Sequence, residues 1–371
     1  MALSKYKLGE LIQLSEEVNE DNNFDISDVR GVSIKKEFIE TKADMEGVSL
    51  RPYLIVKPGY FAYVTITSRN GDKISFAYNT SKDTYLVSSS YVVFYVMKRE
   101  LLLPEYLNIF FNRPEFDRYS RFNSWGSARE AFSWEEMCDI DIELPPIEVQ
   151  QKYVDIYQGM VNNQKAYERG LEDLKLVCDG YIEDLRRKFP SEPIGKYLKE
   201  VDEKNKDLTI TITQGVDVNM QFIPAKREAE DKENTRIVRT GQFAFNKVVK
   251  SNGTKLPIAL RKGPDCIISG SYQVFEVSDK EHLMPEYLML WMSRSETQRY
   301  CGFNGWGSTR DVFPFDELKK LVFPIPNLKI QKCIVDIYKA YETRKEINEQ
   351  LKAQIKDICP ILIKGSIDEA R

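Results

Sequence analysis

Phe122-Asn123-Ser124-Trp125-Gly126-Ser127-Ala128-Arg129 returns 181 positions later as Phe303-Asn304-Gly305-Trp306-Gly307-Ser308-Thr309-Arg310, identical at six of eight positions. The same offset carries Leu103-Pro104-Glu105-Tyr106-Leu107 onto Met284-Pro285-Glu286-Tyr287-Leu288, and Leu144-Pro145-Pro146-Ile147 onto Ile325-Pro326-Asn327-Leu328. Gln150 falls on Gln331, and Val154-Asp155-Ile156-Tyr157 on Val335-Asp336-Ile337-Tyr338. Upstream the offset drifts by a few residues. Val56-Lys57-Pro58-Gly59-Tyr60-Phe61-Ala62-Tyr63 answers Val238-Arg239-Thr240-Gly241-Gln242-Phe243-Ala244-Phe245, Gly31-Val32 answers Gly215-Val216, and Leu8-Gly9 answers Ile194-Gly195. A period of this length is far too long for a solenoid. The chain is a duplicated domain followed each time by the same appendage.

The appendage reads as helix. Tyr153, Tyr157, Met160, Gln164, Tyr167, Leu171, Leu174, Cys178, Tyr181 and Leu185 recur at alternating steps of four and three, with charges filling most positions between them. This is a heptad seam. Gly159, Gly170 and Gly180 each weaken such a helix by about 1 kcal/mol relative to alanine, so tertiary packing must support it. Pro190 and Pro193 mark its end. The second copy begins after Pro326 with Ile334, Tyr338, Tyr341, Ile347, Leu351, Ile355, Ile358 and Leu362, is interrupted by Arg344 and Lys345, and is expected to end at Pro360. Two such helices bury their seams most economically against each other; the alternative packs each on its own domain.

The halves at 1–147 and 190–327 read as mixed α/β. Tyr60–Thr67 and Ser90–Val96 are rich in the β-branched and aromatic residues that strands prefer. Pro104 and Pro285 sit where a helix begins, and Asn112-Arg113-Pro114 closes the first of these helices. The expected architecture is α+β: two homologous α/β domains (1–147, 190–327) joined by long antiparallel coiled-coil helices (148–189, 328–365), with pseudo-two-fold symmetry.

Composition excludes much chemistry. The 371 residues carry 53 basic and 57 acidic side chains, a net charge of −4, so a surface wrapped throughout in nucleic acid is excluded, although a local basic face is not. No apolar run approaches the ~18 residues of a membrane span, and residues 1–10 lack a signal-peptide core, so a cytoplasmic location is expected. His282 is the single histidine, which removes sites built on two imidazoles, and it reads as a surface or packing residue. The six cysteines form no Cys-x-x-Cys pair and read as reduced structural thiols. Glycine-rich phosphate loops, a nucleophile elbow and a complete nuclease core are absent. No catalytic residue and no metal ligand is assigned.

Charge is unevenly spread. Residues 236–262 hold Arg236, Arg239, Lys247, Lys250, Lys255, Arg261 and Lys262 with no acidic residue, and 51–82 hold Arg51, Lys57, Arg69, Lys73 and Lys82 against Asp72. Interleaved Ser, Asn, Gly and Thr could reach phosphates and base edges. The bland alternative is a solvated charged surface, but the feature recurs at one place in both halves. From these stretches Arg69, Lys73, Lys247, Lys250 and Lys255 are candidate DNA contacts. In the Trp-Gly-Ser motif, Trp125 and Trp306 read as core anchors, with the glycines at a positive φ in a turn. Ser127, Arg129, Ser308 and Arg310 read as a DNA-facing loop.

The order Trp-Gly-Ser-x-Arg, proline-rich turn and Gln-led helix (Gln150-Gln151-Lys152; Gln331-Lys332), occurring twice, resembles the specificity subunit of type I restriction-modification enzymes. The resemblance covers nearly the whole chain; Asn327 in place of Pro146 is a small departure. It implies two target recognition domains, each reading one half of a bipartite site on double-stranded DNA, and helices that space them and dock two modification subunits. Those subunits would bring S-adenosylmethionine and methylate adenine, flipping it into their own pocket. A restriction subunit, where present, would bring ATP and Mg. The chain itself would be no enzyme. Half-sites about one helical turn apart, roughly 34–36 Å, would suit two major-groove readers, and DNA binding by the lone chain is expected to be weak and salt-dependent. The rival from another class is a scaffold bridging two copies of a protein partner without reading DNA. A methyltransferase or nuclease fragment without its catalytic part is a further alternative, which S-adenosylmethionine binding by the isolated chain would revive.

Overall fold

The computed structural model describes residues 3–41, 43–67, 71, 73–127, 129–225, 231–248, 255–306 and 311–371, in two compact units: Met1–Tyr167 with Ile347–Arg371, and Glu168–Glu346.

The first unit is built on an antiparallel sheet of four strands in the order Ile12–Leu14, Tyr91–Val96, Tyr60–Val64 and Phe76–Tyr78. Side chains alternate across a strand, and this sequence uses both faces. Phe61, Tyr63, Phe76 and Phe94 point to the helical side, where they pack with Leu107, Phe111, Phe116 and Phe132; Phe61 and Phe94 stack with centroids 5.0 Å apart. The small residues between them, Ala62, Ala77 and Val93, face a second layer made by the hairpin Arg30–Val32/Phe38–Glu40 and the strand pair Leu54–Val56/Tyr85–Val87. Helix α1 (Pro104–Phe111) starts with proline in its first turn, as does α2 (Pro114–Phe122). Helix α3 (Trp134–Cys138) is capped by Ser133, whose hydroxyl accepts from the Glu136 amide. Helix α4 spans Ile147–Lys188.

The second unit repeats this plan. Its sheet runs Leu198–Val201, Tyr272–Val277, Phe243–Asn246, Ile258–Leu260. Phe243 stacks on Phe275 at 4.8 Å, and Ala244, Ala259 and Val274 again line the opposite face. The helices are α5 (Pro285–Met292), α6 (Ser295–Phe303), α7 (Phe315–Lys319) and α8 (Leu328–Ala370). Gly59 and Gly241 hold the same turn at φ 83° and 89°, a conformation that favours glycine. The hairpin turns differ. At one left-handed position the first unit has Lys36 and the second Met220. The lysine is buried, donates to the Phe111 carbonyl at 2.6 Å and pairs with Asp117 at 3.0 Å. Burial pushes its pKa down while Asp117 opposes the shift.

Within the first unit the ends of α4 and α8 run antiparallel: Lys152 meets Glu369 at 2.8 Å, and Gln164 meets Asn348 at 3.0 Å. Within the second unit Gly170 faces the Arg344 guanidinium, and Ile182 and Leu185 share a core with Ile334 and Val335. Missing side chains at Gly170 thus leave room for the arginine that interrupts the heptad. Pro360 does not end the second helix, contrary to expectation; α8 continues to Ala370. The lost hydrogen bond is offset by packing of the last turns, where Cys359, Leu362 and Ile363 enter the first unit's core and Ser366 bonds the Tyr106 hydroxyl at 2.7 Å. Cys178, Cys266, Cys301 and Cys359 are buried free thiols. Among the described residues no helix is long and apolar enough to cross a membrane.

Candidate nucleic-acid interface

Strand Tyr60–Val64 runs on to Ile66, which bridges Ala131; the Thr67 amide donates to the Glu130 carbonyl at 3.0 Å and the Phe132 amide to the Thr65 carbonyl at 2.8 Å. Trp125 and Ala131 exchange both backbone hydrogen bonds, closing the Trp-Gly-Ser segment into a tight loop. Gly126 makes that closure possible: its φ is 142°, and an added Cβ would stand 2.3 Å from the Arg129 carbonyl oxygen. An ion pair from Arg121 to Glu130 ties the end of α2 to the loop.

The second unit builds the same junction. Val248 bridges Val312, the Phe313 amide donates to the Lys247 carbonyl at 2.8 Å, and Trp306 exchanges both bonds with Val312. In each unit, therefore, two segments far apart in sequence, the end of the central strand before the basic stretch and the residues that close the Trp-Gly-Ser segment, are paired side by side.

Of the candidate DNA contacts, Lys73, Ser127, Arg129 and Lys255 are exposed and Lys247 is half-buried. Arg69, Lys250, Ser308 and Arg310 lie outside the described residues. Among the described residues Lys73, Arg129, Lys247 and Lys255 make no ion pair. Other cations in the basic stretches are committed elsewhere. Arg239 is clamped by Glu203 and Asp265, which raise its pKa above the ordinary value, Glu203 most. Arg236 pairs with Asp202 at 2.9 Å, Arg261 donates to the Pro264 carbonyl and to Gln214, and Lys57 pairs with Glu17 at 2.6 Å. The charge count along 236–262 thus overstates the free positive charge.

The tryptophans correct the sequence expectation. Trp125 is 65% exposed and Trp306 59%, so neither anchors the core. Phe132 and Phe313, just beyond each loop, are fully buried and do so instead. They too are related by 181 positions, so the repeat itself marks them in the sequence. Phe122 and Phe303, the last residues of α2 and α6, are 79% and 88% exposed.

Two further residues had no task assigned by sequence. The Gln150 amide donates to the carbonyls of Leu101 (2.8 Å) and Pro145 (2.9 Å) and accepts from the Leu103 amide (3.0 Å). Gln331 repeats this with His282 (2.6 Å), Pro326 (2.8 Å) and the Met284 amide (2.9 Å). Both are fully buried and fix the first turn of α4 or α8 to its domain. His282 itself is exposed, with its Nδ1 2.8 Å from Asp279. Among the described residues no cluster of His, Cys, Asp and Glu could hold a metal.

The seam residues Tyr153, Tyr157, Met160, Tyr167, Leu171, Leu174, Tyr338, Tyr341, Leu351 and Ile355 are all half-buried. Tyr153 and Tyr157 pack on the first unit's core, and Tyr338 packs on the second's.

Residues 194–357 match the family described as type I restriction modification DNA specificity domain. Among solved structures the chain is similar to the S subunit of the type I restriction-modification system from M. genitalium, at 8% identity, over 98% of this chain and 96% of that one, with a TM-score of 0.63. It is also similar to a chain solved in work on complex assembly and conformational transition of the type I R-M system, at 14% identity, over 99% and 97%, with a TM-score of 0.50. No curated protein matches the chain. The second repeat thus matches in sequence the type I restriction modification DNA specificity domain, both repeats are built to one plan, and the chain as a whole shares the fold of the specificity subunits it is similar to.

Proposed function

We propose that this chain is the DNA-reading subunit of a type I restriction-modification complex, with 1–147 and 190–327 as target recognition domains and 148–189 and 328–365 as spacer helices. The observation that carries the reading is the doubled junction. In each unit the end of the central strand that leads into the basic stretch pairs with the residues that close the Trp-Gly-Ser segment, and among the described residues Lys73, Arg129, Lys247 and Lys255 make no ion pair. Phosphate contacts by such cations set register, and polar side chains between them read base edges. The loops differ between the units, Ser68-Arg69-Asn70-Gly71-Asp72 against Val249-Lys250-Ser251-Asn252-Gly253-Thr254, so the two half-sites differ in sequence.

The chain carries out no chemistry of its own in this reading. Two modification subunits dock on it and supply S-adenosylmethionine for adenine methylation; a restriction subunit, in systems that have one, supplies ATP and Mg chemistry. The test is co-expression with the methyltransferase subunit followed by mapping of methylated adenines in genomic DNA. Two short, unlike half-sites around a fixed gap are expected. A stable complex that leaves the DNA unmethylated would point instead to a protein-bridging scaffold.

A further inference from the structure

We propose that Phe122 with Trp125, and Phe303 with Trp306, are the apolar contacts through which each unit grips duplex DNA, their rings lying against bases and sugars while neighbouring cations meet phosphates. This rests on the DNA-reading function proposed above.

Scattered exposed apolar residues need no explanation. These do, because the same two positions, 181 residues apart, are exposed in both units. Phe116 and Ser120 turn inward on α2, as do Thr297, Gln298 and Cys301 on α6, so each helix has a packed face and then ends on an exposed ring. The tryptophan three residues later is held by two backbone hydrogen bonds across a closed loop, and in the first unit that loop passes so close to itself that only glycine fits at 126. An indole on so constrained a backbone is pre-organised, which lowers the cost of binding.

The occupant follows from the surrounding charge. Lys73 and Arg129 in one unit, and Lys247 and Lys255 in the other, lie on the paired loops without an acidic partner among the described residues. A ligand meeting both features is a polyanion with flat apolar faces. Duplex DNA supplies phosphates at the cations, and sugar edges or the base faces of a locally unstacked step at the rings, as the apolar wedges of proteins that kink duplexes use them.

The two kinds of contact respond differently to salt. Phosphate contacts release counterions, and each one removed lowers the slope of log K against log salt by about 1. Ring contacts release none. The experiment uses the full-length chain, a random-sequence duplex and a salt series, with affinity and tryptophan emission as readouts. The chain has four tryptophans; Trp291 is buried and Trp134 half-buried, so quenching by DNA reports mainly on Trp125 and Trp306. The expected result is quenching in the wild type. The variants Phe122→Ser/Trp125→Ser and Phe303→Ser/Trp306→Ser should bind about ten-fold more weakly at every salt concentration with an unchanged slope. Lys73→Ala/Arg129→Ala should lower the slope by up to about 2. An unchanged melting temperature shows that these exposed sites were altered without unfolding the chain.

Aromatic variants within two-fold of wild type, while the cation variants weaken, overturn the ring contacts and leave the DNA-reading function standing. Aromatic variants that keep full DNA affinity but no longer co-purify with the methyltransferase subunit assign the rings to a protein partner and also overturn the proposal. A wild-type chain without DNA affinity even at low salt removes the DNA-reading function and the ring contacts together.

Discussion

Gln150 and Gln331 are the clearest case in which one side chain decides local structure. Each is itself fully buried and bonds two carbonyls and one amide of its domain, one of the carbonyls in a buried contact. Gln150→Ala and Gln331→Ala should each destabilise their unit by about 2–4 kcal/mol, because leaving buried polar groups unpaired costs more than the bonds were worth; urea unfolding measures it. The buried thiols give a second test. Burial holds Cys301 up at about 12, and holds Cys359 at about 11 against the opposing Lys36 charge. The unfolded thiols ionise near ~8.5, so the stability from these raised values is complete below that pH and is lost as pH rises toward them. Melting temperature should therefore fall between pH 8.5 and 11 less steeply in Cys301→Ala than in wild type. Iodoacetamide at neutral pH should label the exposed Cys333 first, as mass spectrometry would show.

At the level of elements, α8 holds a proline twelve residues past the point where its partner α4 supplies the buried Gln164 to Asn348. Pro360 cannot donate to the carbonyl of Lys356, and the helix persists because its last turns are buried. Pro360→Ala should raise the melting temperature, by about 1–3 kcal/mol of restored helix stability. No change would mean that the helix had already relaxed around the ring. The Gln164–Asn348 pair is a polar link in an otherwise largely apolar seam, the arrangement that fixes register between helices at some cost in stability.

At the scale of the molecule, each unit is assembled from distant parts of the chain. The first unit's core includes Cys359, Leu362 and Ile363 from the far end of α8. Truncation after Lys356 should therefore destabilise the first unit and spare the second, whose core uses residues only up to Tyr338. Hydrogen exchange should show protection lost in Phe61–Phe94 and kept in Phe243–Phe275; equal loss in both would mean that the units unfold together.

Sequence alone determined the duplication, the long helices and their starts, because repeat spacing, heptad periodicity and proline positions are local properties of the chain. The positive φ expected at Gly126 was legible too, since a turn of that kind requires glycine. Exposure and pairing were not legible. Trp125 and Trp306 read as core residues because tryptophan is large and apolar, yet whether a ring is covered depends on which elements pass over it, and here Phe132 and Phe313 occupy the core. Arg236, Arg239 and Arg261 counted as free charge until folding brought Asp202, Glu203, Asp265 and Gln214 beside them. The junction of basic loop and Trp-Gly-Ser loop rests on backbone bonds between segments some sixty residues apart. Those contacts exist only after the central strand has found its neighbours, so tertiary structure alone decided where the candidate interface lies.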